Sequence, residues 1–207
     1  MSLPNQLTVL RIILTPCFLA TLFVEHLYFK YLSFFIFFIA SLTDWYDGYV
    51  ARKYGDITKT GKYLDPLADK IMISTAFGAF TFLGYVKFWM FLAITLRDLL
   101  ITCLRSYAFS TNKPFITSKW AKWKTASQMF AIYYIFIWIL LTYSFSDGKS
   151  SPAFLTKLES WDLMGKIMFF VTLYTVMTGL NYLYDNRVYL KNMAVAFYRV
   201  FLPTNVR

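Results

Sequence analysis

Four aspartates carry the chemistry that this sequence could perform. They lie in two short stretches, Thr43-Asp44-Trp45-Tyr46-Asp47-Gly48-Tyr49-Val50-Ala51-Arg52 and Gly61-Lys62-Tyr63-Leu64-Asp65-Pro66-Leu67-Ala68-Asp69-Lys70. Asp44 and Asp47 are three residues apart and share one face of a helix; Asp65 and Asp69, four apart, do the same. Four carboxylates at close quarters repel one another, and burial strips each of hydration. An oxygen-only, carboxylate-rich set is what hard divalent cations bind. Two such ions about 3.5–4 Å apart would neutralise the set and clamp a phosphate. Asp44, Asp47, Asp65 and Asp69 are therefore candidate ligands for Mg²⁺ or Mn²⁺, two ions in all. No Cys or His lies in either stretch, which argues against zinc. A helix-cap role accounts for Asp65, just before Pro66, but not for the other three together.

The elements that position these residues are set by hydropathy. The 207 residues are 58% hydrophobic and 21% aromatic, and the mean hydropathy is +0.49. A soluble domain is nearer half apolar. Six apolar segments follow one another, from about Leu7 to Val24, Tyr31 to Tyr49, Leu64 to Tyr85, Phe88 to Phe109, Trp123 to Tyr143 and Leu163 to Tyr184. Each is about 18–22 residues, enough to cross a hydrocarbon core of about 30 Å. In lipid every backbone polar group must be paired within its own segment, so the segments are helices. The fold expected is an all-α membrane protein of six transmembrane helices, one domain over residues 1–207. Residues 186–207 form a possible interfacial segment at its end. The 144–160 stretch reads as the longest outer loop.

The net charge of +10 does not point to nucleic acid, because the basic residues gather at the ends of apolar runs. One set of connections holds Arg52, Lys53, Lys59, Lys62, Lys113, Lys119, Lys122, Lys124, Arg187, Lys191, Arg199 and Arg207. The other holds Lys30, Lys87, Lys149 and Lys157 balanced by Glu25, Asp147, Glu159 and Asp162. The first set faces the cytoplasm, which places both termini there, with the aspartates at the cytoplasmic ends of helices 2 and 3. A loop of roughly a dozen residues joins those helices, so the two pairs can face each other. The first apolar run contains Arg11 and is followed by no small-residue cleavage site, so it reads as retained. Cys17 and Cys103 lie far apart within apolar runs; a disulfide is not expected, and buried packing thiols are.

Gly48, one residue past Asp47, costs a helix up to about 1 kcal/mol relative to Ala. With Ala51 a turn on, it clears a groove where a flat ligand could press against backbone, and Gly61 could do so from the loop. Helix–helix contact through small residues is the plainer reading. The whole pattern D-x2-D-G-x2-A-R-x8-G-x3-D-x3-D resembles that of the CDP-alcohol phosphotransferase family. Asp44, Asp47, Gly48, Ala51, Arg52, Gly61, Asp65 and Asp69 match every fixed position. The resemblance implies a six-helix membrane enzyme, often dimeric, in which an alcohol hydroxyl displaces CMP from a CDP-linked lipid. It implies that the first three aspartates chiefly hold metal and that Asp69 also accepts the hydroxyl proton. It places Gly48, Ala51, Arg52 and Gly61 beside the nucleotide.

Within the family, three stretches resemble the branch that joins CDP-diacylglycerol to glycerol 3-phosphate in the inner (cytoplasmic) membrane. They are Leu3-Pro4-Asn5-Gln6-Leu7-Thr8-Val9-Leu10-Arg11, Arg97-Asp98-Leu99-Leu100-Ile101 with Leu104-Arg105, and Lys122-Trp123-Lys124-Thr125 with Gln128-Met129. Two departures stand out: Asp98 where Glu is expected, and Ala121 where Gly is usual.

A dianionic acceptor needs cations. Arg97 and Arg105 are eight apart, two turns along one helix face. Arg97 lies deep in an apolar run, where an unpaired charge costs at least about 2.5–3.5 kcal/mol. Asp98, adjacent in sequence, is expected to point elsewhere. Arg105, Lys122 and Lys124 are candidates for the acceptor phosphate, with Arg97 contributing from deeper. Positive-inside anchoring with snorkelling is the alternative, and is preferred for Lys113 and Lys119. Asn5, Thr8 and Arg11 share a face of the first helix. They either close the nucleotide or phosphate site or cap an interfacial N-terminus. His26, the sole histidine, has no assigned role. Two other functions compete. One is a sister synthase that uses another acceptor, of the cardiolipin, inositol-phosphate or serine type. The other is a metal transporter, disfavoured because helices 2 and 3 lack ionisable residues beyond Lys70.

Overall fold

The computed structural model describes residues 3–54, 61–110, 120–146 and 153–187. Within those limits the side chains of Asn5, Asp47, Ala51, Arg52, Asp65, Asp69 and Lys122, and the surroundings of Gly48 and Gly61, lie outside what is described. So do Lys113, Lys119 and all but the first two residues of the 186–207 segment.

Every regular element among the described residues is a helix: α1 (Leu3–Leu22), α2 (Leu27–Tyr54), α3 (Gly61–Phe82), α4 (Phe88–Ser110), α5 (Trp120–Ser146), α6 (Ala153–Ser160) and α7 (Leu163–Asp185). Six of the seven correspond to the apolar segments. The addition is α6, eight residues inside the stretch expected to be a loop. It is too short to give an apolar-run signal and carries Lys157 and Glu159. The helices also overrun the apolar segments. At about 1.5 Å per residue, the 28 residues of α2 span about 42 Å, more than a hydrocarbon core of about 30 Å. Its apolar span ends at Asp44, so the C-terminal turns that follow, with Asp47, extend beyond the apolar layer.

Local chemistry sets the turns. Gly84 has φ +83° and ends α3 in a left-handed residue, where a side chain would be strained. Its N–H donates to Thr81 O at 3.1 Å, and the next N–H, of Tyr85, reaches back to Phe80 O at 2.9 Å. This paired closure satisfies carbonyls that a helix end otherwise leaves open. At the start of α7 the Asp162 carboxylate accepts from Gly165 N at 3.2 Å, an N-cap. The end of α1 is closed from another helix: the buried Lys30 ammonium donates to Leu22 O at 2.5 Å and lies 4.6 Å from the Tyr143 ring centre. His26 Nδ1 accepts from Tyr28 N at 3.2 Å, a turn-forming contact.

α1 packs against both α2 and α3, and α5 packs against the same two. Phe136 of α5 is the hub. Its ring centre lies 6.1 Å from that of Phe18 (α1), 5.4 Å from Phe37 (α2) and 5.2 Å from Phe80 (α3). Edge-on aromatic pairs at these distances add to the gain from burial. Among the described residues α2 and α3 have no extensive contact of their own. Both are held by shared partners, α1 and α5.

The outer surface is apolar. Ile13, Phe35, Leu96, Phe130, Phe170 and Leu180 are each more than half exposed, an arrangement stable in lipid and a liability in water. Among the described residues three helices are long and apolar enough to cross a membrane, through Leu27–Asp44, Trp123–Phe145 and Leu163–Asp185. α4 is as long as α7 but carries Arg97, Asp98 and Arg105. Cys17 and Cys103 are free thiols, as expected, but sit on the exposed surface rather than in the core. Helix faces that look buried by hydropathy here look at lipid.

Candidate active site

Asp44 lies about two thirds of the way along α2, with Asp47 one turn on; Asp65 and Asp69 lie in the second and third turns of α3. The antiparallel sense of the two helices places all four positions towards one end of the bundle. Asp44 is the one of the four whose side chain is described. Its carboxylate is 43% exposed, and Oδ1 is 2.8 Å from Nη1 of Arg11, a guanidinium with 0% exposure. Thr8, one turn earlier on α1, is also fully buried. Thr8 and Arg11 thus turn inward, with Arg11 on Asp44. A half-exposed carboxylate on an oxygen-only set, with a second carboxylate position one turn away, suits a hard divalent cation.

A second polar group is buried among α4, α5 and α7. Asp98 of α4 is 2% exposed. Its two carboxylate oxygens each accept from the Lys124 ammonium at 2.5 Å. Gln128, one turn along α5 from Lys124, donates to Oδ2 at 3.3 Å. Arg97 Nη1 donates to Oδ1 at 3.1 Å, and Nη2 donates to Thr178 Oγ1 of α7 at 3.3 Å. The expectation that Asp98 points away from Arg97 is corrected. Their Cα–Cβ directions do diverge on the helix, but the long arginine stem folds back. Arg97 has room to do so because residue 179 is glycine: a Cβ there would stand 2.7 Å from Arg97 Cγ.

Lys124 is itself 1% exposed. It does not stand open at a helix entrance, as its position near the start of α5 implied, but is engaged by Asp98. Arg105, two turns beyond Arg97, is exposed and lies against the Tyr182 hydroxyl of α7. The structure therefore brings Arg97 and Lys124 together on one carboxylate and sets Arg105 apart, nearer the end of α4. Asp98 and Gln128 were not singled out as site residues by sequence. The available signal was a lone carboxylate in an apolar run, with Lys124 and Gln128 four apart on the helix packed nearby.

The two groups adjoin. Lys70, one residue past Asp69 on α3, is close enough to act electrostatically on both Asp98 and Lys124. Lys70 thus links the α3 turn that carries Asp69 to the buried Arg97–Asp98–Lys124 group.

Comparison with known proteins agrees with this geometry. The family model described as CDP-alcohol phosphatidyltransferase matches residues 1–198, and the chain belongs to that family. Among curated proteins it is similar to a CDP-diacylglycerol–glycerol-3-phosphate 3-phosphatidyltransferase of Blochmanniella floridana. The two are 36% identical over 181 residues, covering 85% of this chain and 83% of the relative. The proteins of the same name from Haemophilus influenzae and Bacillus subtilis are 35% identical over 136 residues (63% and 73% of the two chains) and 31% identical over 186 residues (80% and 94%). Family and apolar helices together make this a multi-pass membrane protein.

Proposed function

We infer that the chain is a CDP-diacylglycerol–glycerol-3-phosphate 3-phosphatidyltransferase of phospholipid biosynthesis. A hydroxyl oxygen of glycerol 3-phosphate attacks the phosphorus that bears diacylglycerol. The bond from that phosphorus to the bridging oxygen breaks, CMP leaves, and phosphatidylglycerophosphate forms. The relatives of that name support the activity. One observation carries the site reading: α4, whose Asp98 gathers Arg97 and Lys124 in a buried group, packs against α3, which carries Asp69.

In this proposal the Asp69 carboxylate accepts the hydroxyl proton. Asp44, Asp47, Asp65 and Asp69 would hold Mg²⁺ or Mn²⁺, which when bound neutralises pyrophosphate charge and eases the departure of CMP. Arg11 orients Asp44 from beneath. Asn5, Thr8, Gly48, Ala51, Arg52 and Gly61 flank the nucleotide. Arg105 and Lys122 meet the acceptor phosphate, and Lys124 with Arg97 contributes from below. Six of the helices span the inner membrane. The basic connections on the aspartate side place that side, and both termini, in the cytoplasm, where a soluble acceptor meets a lipid headgroup. The active unit is a homodimer. Purified protein given CDP-diacylglycerol, Mg²⁺ and a panel of acceptors tests the reading: CMP release should require glycerol 3-phosphate. Release with serine, inositol phosphate or phosphatidylglycerol instead would refute it.

A further inference from the structure

Asp98 is the one buried acidic side chain among the described residues, and it gathers donors from two helices. Lys124 places two of its three N–H donors on it, Arg97 one and Gln128 one. The donors outnumber the charge. Two cations share one carboxylate, and Lys70 adds to the positive field around them. Arg97 Nε is buried with no hydrogen-bond partner among the described residues. A purely structural ion pair would be balanced, since buried charges are tolerated when paired and satisfied. This one retains positive charge and an unused donor, the Arg97 Nε that faces residue 179 of α7, on a helix packed against α3.

We propose that Asp98 is a positioning residue for the acceptor: it holds Lys124 and Arg97 side by side as a fixed cationic pair that draws the acceptor's phosphate towards Asp69. The proposal rests on the acceptor reading above and adds a residue that does not itself touch substrate. The carboxylate supplies what the two cations lack, a counter-charge that lets them sit close together before the anion arrives. Without it, two buried like charges separate and the pair is lost. Gln128 fixes the second carboxylate oxygen, so the orientation of the pair is defined from α5 as well as α4.

The test is steady-state CMP release by the purified full chain, with each substrate titrated at saturation of the other. Asp98→Asn should raise the KM for glycerol 3-phosphate by about tenfold or more while the KM for CDP-diacylglycerol stays within about twofold. Asp98→Glu keeps the charge and should recover most of the loss. A fall in kcat alone, or an equal rise in both KM values, overturns the proposal. Should Asp98→Asn fail to fold, the neutral pair Asp98→Asn/Lys124→Gln replaces it, since removing both charges strands neither. Its acceptor KM should exceed that of Lys124→Gln alone by no more than Arg97→Gln/Lys124→Gln does, since Asp98 also holds Arg97; a larger rise means that Asp98 does not act through the pair. Arg105→Gln is the control for the underlying reading. If it raises the acceptor KM and Asp98→Asn does not, Asp98 alone is removed. If neither Arg105→Gln nor Lys124→Gln moves the acceptor KM, the acceptor reading itself fails.

Discussion

Replacing Gly179 by Ala should push Arg97 out of its place, because the two helices meet where only a hydrogen is tolerated. A methyl on residue 179 would lie 2.7 Å from Arg97 Cγ and 3.0 Å from Nε. Carbon atoms sit best about 3.5–4.0 Å apart, so about 1 Å must be found. The arginine cannot give it cheaply. Cγ is near the root of the side chain, and the guanidinium is tied to Asp98 at 3.1 Å and Thr178 at 3.3 Å. Overpacking of this kind costs about 1–3 kcal/mol. In an Arg97→Ala background the obstruction is gone, and Gly179→Ala should be neutral or stabilise by up to about 1 kcal/mol through helix propensity. The measurement is a double-mutant cycle by denaturant unfolding in detergent, followed by tryptophan fluorescence. Equal effects in the two backgrounds, within about 0.5 kcal/mol, would refute the contact. Acceptor kinetics give a second readout: Gly179→Ala should raise the acceptor KM with the liponucleotide KM unchanged, because it disturbs Arg97 and not α2.

Three other outcomes follow from the same geometry. Asp69→Asn should leave unfolding unchanged and lower kcat by about 10²- to 10⁴-fold, the usual worth of a positioned carboxylate base; near-normal turnover would remove Asp69 from that role. Chelation should abolish CMP release, and added Mg²⁺ or Mn²⁺ should restore it; full activity in excess chelator would sink the metal reading. Gly84→Ala should cost about 1–2 kcal/mol of stability, because φ is positive there. It should leave both KM values alone, since that turn lies at the end of the bundle remote from the aspartates.

Much of the fold was legible because a bilayer leaves the backbone few choices. Runs of apolar residues long enough to cross it must become helices, and six such runs became α1–α5 and α7. What hydropathy does not encode is which helices touch. α2 and α3 each rest on α1 and α5. That choice is made by shape: Phe136 reaching Phe18, Phe37 and Phe80 at once. The same limit explains the cysteines. An apolar neighbourhood in sequence cannot tell a core-facing thiol from a lipid-facing one, because both neighbours are apolar.

The aspartates stood out by their spacing, in pairs at three and four residues, and the helices carry all four positions towards one end of the bundle. The cationic side was only half legible, and the reason lies in side-chain length. Sequence spacing predicts where a Cβ points, and for Asp98 and Arg97 it points apart. Arginine and lysine have enough reach to cancel that divergence when something rewards it, and a buried carboxylate does. An isolated charge in an apolar run is therefore better read as a demand for partners than as a vector. Asp98 demanded two cations, Gly179 made space for one of them, and Lys124 crossed from α5 to meet both oxygens. The demand was visible in the sequence; which residues answered it depended on the packing of α4 against α7.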